Sequence, residues 1–146
     1  MAVQPIPEGY HSVTPYLIVE GAAKLIDFAK AAFGAEERSR MAGPGGAIMH
    51  AEISIGDSVV MLSDAMAEFP PTKAMIHLYV PEVDAAYRSA LAAGATSERE
   101  PADQFYGDRS ASVRDAFGNR WYVATHVEDV SPEEMEKRAA AAAAPS

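Results

Sequence analysis

The sequence predicts an α+β domain made of two successive βαβββ modules, forming a curled mixed sheet around a cup. Helices are expected on the convex face, with one more helix at the C-terminus. Three observations predict this. Runs rich in β-branched and aromatic residues alternate with two amphipathic helical stripes. The order strand, helix, three strands occurs twice, which is an internal repeat. Each copy ends in a hairpin with its own turn signal, Gly56-Asp57 in the first and Asp115-Ala116-Phe117-Gly118-Asn119 in the second.

Residues 1–10, rich in Pro and Gly, read as a loose arm. The first module covers 11–64. His11 to Val19 reads as a strand. Gly21 to Phe33 reads as a helix, with Leu25, Phe28, Ala29 and Ala32 on one face and Gly34 as its terminator. Ala35 to Met41 is the next strand and Ala42 to Gly46 a loop; Ile48 to Ile55 and Ser58 to Asp64 form the hairpin. Residues 65–73, with two prolines, read as a linker. The second module covers 74–128. It has a strand Ala74 to Val80, a helix Val83 to Ala93 ended by Gly94, and strands Thr96 to Glu100, Ser110 to Arg114 and Arg120 to His126. The two modules are expected to form one domain, because neither alone has enough strands to close a core. Residues 129–146 hold the last helix. Ser131-Pro132-Glu133-Glu134 is a capping box with proline at the first helical position, and the alanine run that follows is expected to be exposed.

Composition excludes several functions. The net charge of -9 opposes nucleic-acid or anionic-membrane binding. No apolar run approaches the roughly 18 residues of a membrane span. No cysteine is present, so disulfides, thiolate metal sites and a cysteine nucleophile are out. The N-terminus lacks the pattern of a signal peptide, and a cytoplasmic protein is the expectation. Ala42-Gly43-Pro44-Gly45-Gly46 does not lead into a helix, so it is no phosphate cradle, and neither G-x-S-x-G nor H-E-x-x-H occurs.

Several strings resemble one family when taken in order. They are Val13-Thr14-Pro15-Tyr16-Leu17, Ile55-Gly56-Asp57-Ser58 with Met61-Leu62-Ser63-Asp64, and Tyr106-Gly107-Asp108-Arg109 leading to Asp115-Ala116-Phe117-Gly118-Asn119-Arg120-Trp121. Over about residues 9 to 128 the chain resembles the vicinal oxygen chelate superfamily, in its PhnB-like branch. That superfamily includes glyoxalase I, bleomycin- and fosfomycin-resistance proteins and extradiol dioxygenases. The resemblance implies the doubled fold and a homodimer, with the cup completed across a two-fold axis. In the metal enzymes of the family, His, Glu or Gln from the first and last strand of each module hold a divalent ion. Those positions fall here on Thr14, Met61, Met75 and Tyr122, none of them a usual ligand for such an ion. The expectation is therefore a cup that binds a small molecule, with no cofactor. The alternative is a metal-dependent lyase, isomerase or transferase using a displaced set, His50, Glu52 and His77.

Strand alternation gives the candidate lining of the cup. With Gly56-Asp57 as a two-residue turn, Glu52 lies opposite Met61, and His50 shares its face. By the same alternation His77 joins Met75, and Tyr122 joins His126. His50, Glu52 and His77 could bind a metal, hydrogen-bond a polar ligand, or simply face solvent. Tyr16, Met61, Met75 and Tyr79 would make the cup apolar and adaptable, although the methionines read equally as core. Arg109 is a candidate for binding a carboxylate or phosphate at the rim, and reads equally as half of a surface Arg–Asp pair. Trp121, on the face opposite Tyr122, is expected in the core, and 115–119 as a structural turn. A partner-docking role for the C-terminal helix is a third reading.

Overall fold

A computed structural model describes residues 2–144. The first module contains β1 (Tyr16–Val19), α1 (Ala22–Phe33), β2 (Glu36–Ala42), β3 (Ile48–Ile55) and β4 (Ser58–Asp64). The second contains β5 (Met75–Tyr79), α2 (Val83–Ala92), β6 (Thr96–Asp103), β7 (Asp108–Arg114) and β8 (Arg120–His126), and is followed by α3 (Pro132–Ala143). The curled mixed sheet is two four-stranded sheets, ordered β1-β4-β3-β2 and β5-β8-β7-β6. In each, the first strand pairs parallel to the last and the other pairings are antiparallel. The doubled βαβββ pattern is thus a property of the fold as well as of the sequence.

Three element boundaries differ from expectation by two residues or more, and one of them is β7, which begins at Asp108 rather than Ser110. β1 starts at Tyr16 rather than His11. Pro15 has no N–H, although its carbonyl still accepts from the Met61 amide at 2.9 Å. β6 runs on through Pro101 to Asp103. A proline is tolerated there because β6 is the sheet edge and its pairing with β7 is broken by bulges.

Each sheet has one helix-bearing face. Leu17, Val19, Ala51, Ile53 and Leu62 from the first sheet and Val113, Trp121 and Val123 from the second join both helices in a single core. α1 and α2 pack against each other. Trp121 is completely buried, with its ring centroid 4.9 Å from Phe33 and 6.3 Å from Phe28 of α1. The second sheet is thereby fastened to the first module's helix.

Two carboxylates, Asp64 half-buried and Asp115 buried, fix the chain where helix and hairpin meet. Asp64, at the end of β4, accepts from the amides of Gly21 and Ala22 at the start of α1, and from Ile48 at the start of β3. Burial opposes its charge, but these three donors outweigh burial and hold the carboxyl below its usual range. Asp115 does the equivalent in the second hairpin. It accepts from the Phe117 and Asn119 amides, the Asn119 side chain and the Trp121 indole. Asn119 in turn accepts from the Ala74 amide at 2.8 Å, tying the turn to the start of β5.

Half of the expected capping box forms: the Ser131 hydroxyl accepts from the Glu134 amide and Pro132 opens α3, while the Glu134 carboxylate accepts from Arg138. No residue of α3 is fully buried. Arg138 holds the helix to the second module through Glu128 and the Phe105 carbonyl.

Candidate ligand-binding faces

Because side chains alternate along a strand, the face of each sheet away from its helix carries one cross-strand row. In the first sheet the row is Tyr16, Met61, Glu52 and Ser39 across β1, β4, β3 and β2. In the second it is His77, Tyr122, Ser112 and Arg99 across β5, β8, β7 and β6. The rows occupy equivalent places in the two modules, so the repeat presents a different chemistry at the same level of each sheet.

On the first sheet, the Tyr16 hydroxyl lies 3.1 Å from His50 Nδ1, and His50 Nε2 lies 2.8 Å from Glu52 Oε2. The tautomer that satisfies both contacts carries its proton on Nε2, donating to Glu52, and accepts from Tyr16 on Nδ1. Beside this chain lies an apolar cavity of about 390 Å³, lined by Tyr16, Ile18, Met49, Ser63, Met66 and Phe69. Met66 and Phe69 come from the linker, where they form a bridge with each other's backbone.

On the second sheet, the His77 ring lies nearly parallel to Tyr122, with centroids 5.4 Å apart and 17° between planes. Tyr79 lies on the other side of His77 at 4.9 Å. Arg99 donates to the Tyr122 hydroxyl at 3.3 Å. The Ser110 hydroxyl and the Arg99 guanidinium hold the Tyr122 phenol below its usual range, against the effect of burial. Burial pushes the neighbouring Tyr106 phenol up.

Further along this face is a cluster that sequence reading did not find. Buried Asp108 accepts from the Tyr79 hydroxyl and from His126 Nδ1, each at 2.8 Å, and His126 Nε2 lies 2.7 Å from Asp129. Burial opposes charge on Asp108, yet its His126 and Tyr79 partners keep its carboxyl below the usual range. Hydrogen bonds to Asp108 and Asp129 raise His126 above 6.5. Since the folded-state value is raised, the contribution of the imidazolium is fully present below pH 6.5 and is lost as pH rises through the folded value. An NMR titration of the His126 ring is expected to give a midpoint above 6.5, falling towards 6.5 in Asp129→Asn. An unchanged midpoint in that variant would mean that Asp129 has no such role.

The predicted residues divide accordingly. Tyr16, His50, Glu52 and Met61 come together on one sheet; His77 and Tyr122 come together on the other. Met75 shares the His77 face one row away, opposite Arg120, and is largely exposed. Arg109 is a correction. It sits between Asp108 and Ser110 on β7, so its side chain faces α2, where it forms a fork with Asp84 at 2.7 and 3.0 Å and reaches Asp103. Strand alternation carries it away from the cup, and the surface Arg–Asp reading is the correct one.

The metal positions also shift. Thr14 precedes β1, and the residue level with Met61 is Tyr16; the residue level with Tyr122 is His77, and Met75 is level with Arg120. Both sets are poor in donors for a hard divalent ion. Among the described residues, no three His, Cys, Asp or Glu side chains are arranged to hold a metal ion, so His77 is not brought to the His50–Glu52 pair. The displaced set of the alternative reading is not assembled within one chain, and a family metal does not fit these residues.

The model of the Glyoxalase/Bleomycin resistance protein/Dioxygenase superfamily matches residues 9–123. The chain belongs to this superfamily. Two uncharacterized proteins, from Mycobacterium tuberculosis H37Rv and Mycobacterium bovis, are 38% identical over 136 residues. Each alignment covers 86% of this chain, and 80% and 90% of those relatives respectively. The fold is similar to that of TioX from Micromonospora sp. ML1, with a TM-score of 0.64 and 22% identity, covering 80% of this chain and 100% of TioX. It is also similar to TnmS3, an antibiotic binding protein from Streptomyces sp. CB03234, with a TM-score of 0.61 and 21% identity over 80% of this chain and 97% of TnmS3. A PhnB protein from Bacillus cereus, a putative 3-demethylubiquinone-9 3-methyltransferase, gives a TM-score of 0.62 at 16% identity, over 79% of this chain and 99% of the other. Superfamily membership agrees with the sequence reading, and among the described residues no helix is long and apolar enough to cross a membrane.

Proposed function

We propose that this protein binds a small molecule against the helix-free faces of its sheets and does so without the metal centre of the superfamily's enzymes. The observation that carries this is the pair of rows, Tyr16-Met61-Glu52-Ser39 and His77-Tyr122-Ser112-Arg99. They offer aromatic, thioether and hydrogen-bonding surface at the levels where metal ligands would be needed. Soft methionine surface suits an adaptable apolar contact. The likeness in fold to an antibiotic binding protein makes sequestration of such a compound the natural role. The PhnB-like branch is our placement within the superfamily, on the motifs around Tyr16, Met61 and Asp115.

The same reading makes the protein a cytoplasmic homodimer whose cup is completed by a second copy. The chain exposes 9174 Å². A compact monomer of its 15.5 kDa mass exposes about 7,200 Å². Met41, Met75 and Tyr79, exposed by 59%, 65% and 59%, are among the large apolar side chains a partner or ligand would cover.

Fluorescence titration with the neutral dye N-phenylnaphthylamine tests the reading. The wild type is expected to bind it saturably, and Met61→Arg to weaken binding by about tenfold or more by placing a charge among apolar contacts. Equal binding by both proteins would reject this location. A stoichiometric Zn, Ni, Mn or Fe ion retained by the purified protein on these faces would reject the metal-free part.

A further inference from the structure

We propose that the second sheet selects flat aromatic ligands that carry an acidic group, with the acid against Arg99 and the ring system against the His77–Tyr122 stack. The inference rests on the binding reading above and names the ligand class for that site.

Three arginines, Arg38, Arg88 and Arg99, form no ion pair with a carboxylate among the described residues, and of these Arg99 is the one in the second sheet's row. Arg109 and Arg138 are forked onto carboxylates. Arg114 and Arg120, one row away on the same face, share Glu98 at 2.7 and 3.3 Å. Arg99 has no carboxylate within 4.0 Å among the described residues; its recorded side-chain partner is the neutral Tyr122 hydroxyl at 3.3 Å. One N–H of its fork is used there, which leaves others for a bidentate contact with a carboxylate or sulfonate.

The surroundings supply the remaining features. The His77 and Tyr122 rings form an aromatic surface next to the guanidinium, and the Ser112 side chain lies between Tyr122 and Arg99 in the row. Lys73, Arg114 and Arg120 line a neighbouring cavity of about 310 Å³, with Met75 between. Glu98 offsets one of these charges, so positive charge remains in excess at this end of the face, while Asp108 and Asp129 lie at the other. The Tyr122 phenol is held below its usual range by the Ser110 hydroxyl first and by the Arg99 guanidinium after it. The overall charge of -9 does not cancel this, because charges beyond about 8 Å are screened at physiological salt.

The first sheet lacks the feature. Ser39 stands where the second sheet has Arg99, and Glu52 where it has Ser112. An acid would be repelled there and an apolar body accepted in the Met49–Phe69 cavity. The preference for an acid is therefore a property of the second sheet.

A pair of dyes separates this inference from the reading beneath it. Anilinonaphthalene sulfonate and N-phenylnaphthylamine share a ring system and differ in the acid. The wild-type full chain is expected to bind the sulfonate about tenfold more tightly than the neutral dye. Arg99→Gln should weaken binding of the sulfonate about tenfold more than binding of the neutral dye, removing the preference, while Arg99→Lys should keep part of it. Circular dichroism of each variant checks that it is folded. Equal wild-type affinity for the two dyes, or an Arg99→Gln variant that keeps the full preference or loses both dyes equally while folded, overturns the inference and leaves the binding reading intact. Failure of the wild type to bind either dye overturns both.

Discussion

Asp115→Ala is expected to destabilise the protein by about 3–5 kcal/mol, measured by urea denaturation. The carboxylate accepts four hydrogen bonds within one turn, two from amides and two from side chains. Its removal leaves the fully buried Trp121 indole N–H and the fully buried Asn119 side chain without this acceptor. Each buried group left unsatisfied costs about 1–3 kcal/mol. The loss would spread, since Asn119 also receives the Ala74 amide that starts β5. Asp115→Asn keeps the shape but turns an oxygen that accepts two hydrogen bonds into a donor while keeping the other acceptor, so it should fall between wild type and Asp115→Ala. A change below about 1 kcal/mol in Asp115→Ala would show that solvent replaces the carboxylate, contrary to its burial.

Trp121→Ala is expected to cost a similar amount, about 3–5 kcal/mol, through a large cavity. Its particular interest lies in where the cavity falls. Trp121 belongs to the second sheet but packs on Phe28 and Phe33 of the first module's helix. Both modules should therefore weaken together and still unfold in one transition, seen alike by tryptophan-independent probes such as far-ultraviolet dichroism and amide exchange. Two separate transitions, one per module, would contradict the single shared core.

The fold was legible because its signals are local and repeated. Gly34, Gly56-Asp57 and the Ser131 cap each fix a boundary through backbone chemistry, and alternation on β3, β4 and β8 separated Trp121 from Tyr122 correctly. The Glu52–Met61 pairing followed from the length of one turn. Less was legible about the site. Arg109 was misplaced because the sequence shows a charged residue near a loop without showing that β7 already begins at Asp108, which fixes the face on which Arg109 stands. Arg99 escaped notice because bulges in β6 on both sides of it hide the register with Ser112. His126 reads as a strand-end residue; only the fold brings Asp108, from β7, and Asp129, from the segment before α3, to its two ring nitrogens. Met66 and Phe69 lie in a proline-bearing linker with no periodicity, so their place in the apolar cavity is tertiary information.

The central claim is that ligand binds the helix-free faces, and the methionine methyl groups report on it directly. Of the seven methionines, Met49 and Met66 line the first sheet's cavity, Met61 lies in its row, and Met75 lies beside the second sheet's row. Met135 lies on α3, which makes no extensive contact with any strand of either row. In a spectrum of methyl-labelled methionine, addition of N-phenylnaphthylamine is expected to shift the resonances of Met49, Met61, Met66 and Met75 and leave that of Met135 in place. A ligand that shifts Met135 while the other four stay fixed would contradict the account.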